Sequence, residues 1–188
     1  MTADASGPAP KVETSGPAPS AGVLVVEASS PEEVDAVRSL FQAYGESLGW
    51  EMSSGGWLTD ELASLPGTYA PPRGSLMLAL MDGEPAGALG LQPVPEGVRI
   101  PGVGAETAGE LKRMFVRPES RRRGVGRALL VRAADEARAR GYDALVLTTS
   151  AEMMPLAQHL YESMGYVETV PYRDDMPHPH IKWMRLAL

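Results

Sequence analysis

Arg121-Arg122-Arg123-Gly124-Val125-Gly126-Arg127 stands between two segments of different period. Before it, Glu110 to Val116 reads as a strand ended by Pro118. After it, Val125, Ala128, Leu129, Ala133 and Ala137 recur at helical spacing over about four turns, with Gly141 as the stop. Glycines and arginines therefore sit where a strand hands over to a helix. A helix start presents unpaired backbone N–H groups and the positive end of the dipole. Glycines let a phosphate approach that backbone, and arginines add charge and bidentate donors. The stretch is a site for a pyrophosphate. A dinucleotide fingerprint requires a third glycine where Leu129 stands, and an acidic residue on the next strand, where Leu145 and Leu147 stand. A Walker loop requires Gly-Lys-Ser/Thr, which this stretch lacks.

Charge supports an anion site. The 188 residues carry a net charge of −7, which argues against a general nucleic-acid binder. Residues 112 to 140 nevertheless hold ten Lys/Arg against three Asp/Glu, a local +7 that leaves −14 on the remainder. A basic segment on an acidic chain focuses a field on a small anion. There is no cysteine, so thiolate nucleophiles, disulfides and cysteine-ligated metals are excluded. No eighteen-residue apolar run exists, and the first residues lack the pattern of a secretory signal, so the expected compartment is the cytoplasm, away from membranes.

Residues 1–22, rich in Ala, Pro, Gly and Ser with SGPAP at 6–10 and 15–19, predict a disordered tail before a single domain over 23–188. Val23 to Glu27 predicts a strand. Ser30 caps a helix with Pro31 first and Glu33 third, running through Val34, Val37, Leu40 and Phe41 to Gly45 or Gly49. A second helix is predicted from Thr59 to Leu65. Asp82-Gly83 predicts a hairpin between strands Ser75–Met81 and Pro85–Leu91, with a loop over 93–108. A strand from Ala144 to Thr149, a helix from Pro155 to Met164, and strands Tyr166–Val170 and Ile181–Leu186 complete the chain. Hairpin and crossover signals side by side predict a mixed sheet with helices on its faces.

Three blocks then carry a resemblance. Arg121-x-x-Gly124-x-Gly126, the preceding strand Glu110 to Val116, and Leu160-Tyr161-Glu162-Ser163-Met164-Gly165-Tyr166 are similar, in order and spacing, to the motifs of the GNAT (GCN5-related N-acetyltransferase) superfamily. The resemblance implies an α/β fold with a mixed, mostly antiparallel sheet splayed at its centre, and an acetyl-CoA co-substrate held in the opening. It implies that the Met114–Phe115–Val116 strand, through the main chain of Met114 and Val116, pairs with the pantetheine arm. It implies that backbone N–H groups of Arg122, Arg123, Gly124, Val125, Gly126 and Arg127 hold the pyrophosphate, with Arg121 and its neighbours supplying charge. Many members carry an asparagine seven residues before the tyrosine; here Met154 stands there and cannot donate.

Tyr161 occupies the family's tyrosine position, which implies a donor to the departing thiolate; a packed core aromatic is the other reading. Glu110 aligns with a strand glutamate that serves as base in some members; pairing with Lys112 or Arg113 is the other reading. Acetyl transfer to an amine by direct attack in a ternary complex is the expected reaction, on a small-molecule amine or, as alternatives, on a protein or peptide. A non-catalytic acyl-CoA-binding module is the further alternative. The acceptor groove is expected among residues 44–73 and 171–180, where Trp50, Trp57, Tyr69, Tyr172, Asp174 and Asp175 are candidates. The pair His178 and His180 is too sparse for a metal site, and none is expected. Members occur as monomers and homodimers, and either state suits this chain.

Overall fold

The computed structural model describes residues 22–49, 56–95, 98, 100, 103, 107–150, 152–173 and 180–188. The tail expected over 1–22 lies, but for Gly22, outside the described residues, as do Trp50, Asp174, Asp175 and His178.

Seven strands form one sheet, and their chain order explains its shape. Strand β1 (Val23–Glu27) is followed by helix α1 (Pro31–Ser47) and helix α2 (Trp57–Ala63). Strands β2 (Ser75–Met81), β3 (Glu84–Pro93) and β4 (Ala108–Val116) then run as a meander. Helix α3 (Val125–Ala139) crosses to β5 (Ala144–Ser150), and helix α4 (Pro155–Ser163) leads to β6 (Val167–Thr169) and β7 (Ile181–Ala187). The spatial order is β1-β2-β3-β4-β5-β7-β6. Among the described strands, only the neighbours β4 and β5 are parallel, and helix α3 carries the chain between them across one face.

That parallel pair is short. Ala108, Gly109 and Glu110 register with Ala144, Leu145 and Val146. Beyond Glu110, β4 keeps β3 as its partner, and β5 keeps β7. The two halves of the sheet part at this point, and the wedge between them is the central feature of the molecule.

Period-two alternation loads both faces. Met77 and Ala79 of β2 join Leu129, Leu130 and Ala133 of α3 on one side. Leu76 and Leu78 join Val37, Leu40 and Phe41 of α1 on the other. Helix α1 starts on a capping box: Glu33 N–H donates to Ser30 Oγ at 3.2 Å, and Ser30 N–H donates to Glu33 Oε2 at 3.0 Å. The predicted elements are found with ends moved by a few residues. The second helix starts two residues early, at Trp57, and the hairpin's return strand extends to Pro93.

One register irregularity was not predicted. Ala88 faces Phe115 and Gly90 faces Lys112, so two residues of β4, Arg113 and Met114, oppose Leu89 alone. This is a β-bulge, and Arg113 takes a left-handed φ of 56° to make it. The extra residue turns Arg113 toward α2 while Met114 packs with the α3 core.

Gly90 sits where Tyr69 crosses the sheet. A Cβ there would lie 2.4 Å from Tyr69 Cε1, and that ring is buried and held at its hydroxyl by Glu61. Gly90→Ala is expected to destabilise by about 1–3 kcal/mol through overpacking, read as a lower urea midpoint; a midpoint equal to the parent's would show that the ring gives way.

Candidate functional site

The wedge is lined from both faces. On the α3 side, Met114, Val116, Gly126, Leu160 and Tyr161 converge. A Cβ on Gly126 would meet Leu160 Cδ2 at 2.9 Å and Met114 Cε at 3.1 Å, so this glycine is a point of close approach between α3, α4 and β4. The Tyr161 hydroxyl lies 3.4 Å from Met114 Sδ, and its ring stacks edge-on against Tyr166 with centroids 5.6 Å apart. From the α1 side, Tyr44 rests against Phe115, and its hydroxyl approaches Met154 Sδ at 4.0 Å. Two tyrosines on different helices thus flank the opening, each with its hydroxyl against a methionine sulfur, a weak acceptor. Phe115 itself faces the α1 core.

The start of α3 has the features expected of an anion cradle. Its first residue is preceded by Gly124 at φ 86°, with no side-chain cap. Arg122 is also left-handed, at φ 60°. The first intrahelical bond beyond the cap runs from Ala128 N–H to Gly124 O, so the N–H groups of Val125, Gly126 and Arg127 precede the ladder. Alternating left-handed turns next to such groups form the concavity that holds phosphates. The donor set fits a CoA pyrophosphate.

The arginine side chains divide. Arg127 reaches Ser163 Oγ at 3.4 Å and spans α3 and α4. Arg121 Nε donates to Val116 O at 3.1 Å and ties the loop to the end of β4. Arg123 leans to Asp82 at 3.4 Å, on the β2–β3 turn. These three guanidinium groups point to different partners, so what the segment offers an anion at one place is its main chain.

Where the acceptor groove was expected lies a cleft of about 560 Å³ between α2 and β4, lined among others by Trp57, Glu61, Tyr69, Gln92 and Lys112. Arg113 forks onto Glu61 at 3.1 and 2.7 Å, and its guanidinium lies 4.5 Å from the Trp57 ring centre. Glu110 is wholly buried. Its carboxylate accepts from Gln92 Nε2 at 3.0 Å, Tyr172 OH at 3.3 Å, Lys112 Nζ at 3.4 Å and Arg173 at 3.2 Å. Tyr172 stacks edge-on on Trp183, with centroids 4.5 Å apart, beneath this group. Of the expected acceptor residues, Trp57 and Tyr69 line the cleft, and Tyr172 supports Glu110. His180 pairs with Glu152 at 3.2 Å on an exposed surface. Sequence reading missed Tyr44, Glu61, Gln92 and Arg173. Only Tyr44 carried a signal, its helical spacing from Val37, Leu40 and Phe41.

Burial pushes the Tyr161 hydroxyl pKa upward, with the nearby Tyr44 adding to it; Tyr69 rises through burial and the Glu61 charge, and Tyr166 through burial and Tyr161. Each stays a protonated donor at neutral pH. A tyrosine raised in the folded state ionises first in the unfolded chain. Stability is therefore complete below pH ~10 and is lost as pH rises above it, by about 1.4 kcal/mol per tyrosine per unit. Melting temperature is expected to hold steady from pH 8 to 9.5 and fall steeply above 10; a shallow decline would remove these hydroxyls from the folded-state balance.

A sheet splayed beside an uncapped, glycine-started helix agrees with the class of enzyme to which the relatives of this chain belong. Residues 36–166 match the model of the acetyltransferase (GNAT) family, and the chain belongs to that family. The family uses acetyl-CoA, and the chain is an N-acetyltransferase. It is 31% identical over 159 residues to an uncharacterized N-acetyltransferase from Schizosaccharomyces pombe, covering 84% of this chain and 90% of the relative. Its fold is similar to that of a Streptococcus agalactiae acetyltransferase, with a TM-score of 0.67 at 19% identity over 89% of this chain and 99% of that one. It is also similar, at TM-score 0.62 and 17% identity over 88% and 94%, to a Salmonella typhimurium protein solved with its cofactor acetyl-CoA. Among the described residues, no helix is long and apolar enough to cross a membrane.

Proposed function

We propose that this enzyme moves an acetyl group from acetyl-CoA to the amine of a small molecule, by direct transfer in a ternary complex. The observation that carries this reading is the wedge itself: an uncapped helix start at one end, a buried tyrosine hydroxyl on its wall, and an open, mostly apolar cleft on the opposite face of β4. Acetyl-CoA supplies a thioester carbonyl and a thiol leaving group. The N–H groups of Val125, Gly126 and Arg127 hold its pyrophosphate, and the main chain of Met114 and Val116 aligns its arm. Tyr161 donates a hydrogen bond toward the sulfur as negative charge develops there. With no cysteine in the chain, a thioester acyl-enzyme has no nucleophile to form on.

The acceptor must attack as the free amine. For a pKa of roughly 10.4, deprotonation at pH 7 costs about 4.6 kcal/mol. For Glu110 we favour the charge-pairing role over the base. Four donors already converge on its two oxygens, which are engaged in charge pairing inside a wholly buried group. The amine then sheds its proton to water in the open cleft.

Thermal melting with acetyl-CoA, CoA and NAD tests the donor site. A ligand at a hundredfold its Kd adds about 2.7 kcal/mol, or roughly 5–10 °C for a chain of this size. A shift with both CoA forms and none with NAD is the expected result, followed by thiol release with amines. No shift with either CoA form would overturn the pyrophosphate assignment.

A further inference from the structure

The buried hydroxyls of Ser75, Thr149 and Tyr166 have no hydrogen-bond partner among the described residues. Buried polar side chains are paired in the large majority of cases, so each such group calls for a reason. Thr149 is the one carried by a strand that borders the wedge. It stands on β5 at 3% exposure, beyond Val146, the last residue of β5 that pairs with β4. From there on, β5 has β7 on one side and the wedge on the other. The next hydroxyl along, that of Ser150, accepts from Met153 N–H at 3.3 Å, so the turn into α4 uses it and leaves that of Thr149.

Thr149 lies three residues past Val146, about 10 Å along the strand. On β4, Leu111 and Lys112 take two steps from Glu110, and Arg113 and Met114 together take the third, because the bulge sets both against Leu89. Thr149 and Met114 therefore lie at one depth on opposite walls. They also share a face. Leu145 and Leu147 pack with the α3 core, and alternation puts Thr149 on that side, where Met114 and Tyr161 also pack. The Tyr161 hydroxyl reaches Met114 Sδ there at 3.4 Å. The Thr149 hydroxyl is thus level with the tyrosine that faces the sulfur in the proposed reaction.

We infer that the Thr149 hydroxyl donates a hydrogen bond to a carbonyl oxygen at the reacting end of acetyl-CoA, that of the thioester or of the nearest amide of the arm. The inference rests on the proposed placement of the arm along Met114 and Val116, and it adds a side-chain donor from the opposite wall. The resting enzyme then carries a buried hydroxyl whose desolvation is offset only when the co-substrate enters.

Thr149→Val keeps the shape of the side chain and removes the hydroxyl. Because that hydroxyl is unpaired in the resting protein, T149V is expected to melt at or above the parent's temperature. Its Kd for acetyl-CoA, by titration calorimetry on the full-length protein, is expected to rise about tenfold, which is about 1.4 kcal/mol. T149S is expected to stay within about threefold of the parent. Free CoA separates the two carbonyls, since it keeps the amides and lacks the thioester. An amide contact weakens both ligands alike and raises KM with kcat little changed; a thioester contact weakens acetyl-CoA alone and lowers kcat. Ser75→Ala is the matched control. It removes an unpaired hydroxyl next to Gly74, whose carbonyl accepts from Arg140 beyond the far end of α3, and both affinities are expected to stay unchanged. Equal affinity of T149V and the parent for acetyl-CoA overturns the inference. So does a T149V that melts clearly lower or fails to fold, since the hydroxyl then has a partner in the resting protein. If neither CoA form binds the parent, the donor-site reading fails and the inference falls with it.

Discussion

Tyr161→Phe is expected to lower kcat about a hundredfold with little change in melting temperature. A hundredfold corresponds to about 2.7 kcal/mol, the size of one donor aimed at developing charge in a site that excludes water. The hydroxyl's neighbour in the structure is Met114 Sδ at 3.4 Å, a weak acceptor whose loss costs little in the resting protein. The ring keeps its packing against Tyr166 in the phenylalanine variant. Because burial holds the pKa up, the residue donates across the whole working range, and its loss should lower the pH–rate profile without reshaping it. Steady-state kinetics and a melting curve decide the matter. Full turnover in a folded Y161F protein would reduce the tyrosine to a core aromatic.

Glu110→Ala is expected to destabilise the protein by about 3 kcal/mol or more. Removing one member of a buried charge group leaves the others uncompensated. Glu110 is completely buried, and the side chains of Lys112 and Arg173 are only 16% and 13% exposed. The loss corresponds to a melting temperature lower by roughly 6–12 °C. Glu110→Gln separates the two roles. If the carboxylate is a counter-charge, E110Q keeps the shape of the pH–rate profile, which follows the amine's own deprotonation, while its melting temperature falls. If it is the base, E110Q moves the acidic limb. A variant as stable as the parent would mean that solvent reaches Lys112 and Arg173 and replaces the carboxylate.

The helices and strands of this protein were legible because each carries a local cause. Ser30, Pro31 and Glu33 form their capping box within four residues, and Asp82-Gly83 turns the hairpin within two. The glycine–arginine stretch was legible as an uncapped, glycine-started helix N-terminus because its backbone conformation and N–H groups belong to one short segment. The wedge was expected only through the resemblance: a parallel pair that lasts three residues is settled by how α3 and α4 pack, not by the strands' own patterns.

The division of the arginines was not legible. Arg121, Arg123 and Arg127 look equivalent along the chain, yet they end on Val116 O, Asp82 and Ser163, partners 5, 41 and 36 positions away. The bulge at Arg113 was hidden as well, because a two-against-one register depends on the partner strand rather than on the bulged residue. The charge group at the acceptor cleft draws Glu61, Gln92, Glu110, Lys112 and Arg173 from α2, β3, β4 and the chain beyond β6. What the sequence by itself determined is therefore the set of elements, the glycine-started helix N-terminus and the family. That Lys112 lines the cleft while joining Glu110 and Arg173 in one buried group was decided only by the tertiary structure, since such a group is drawn from neighbours in space.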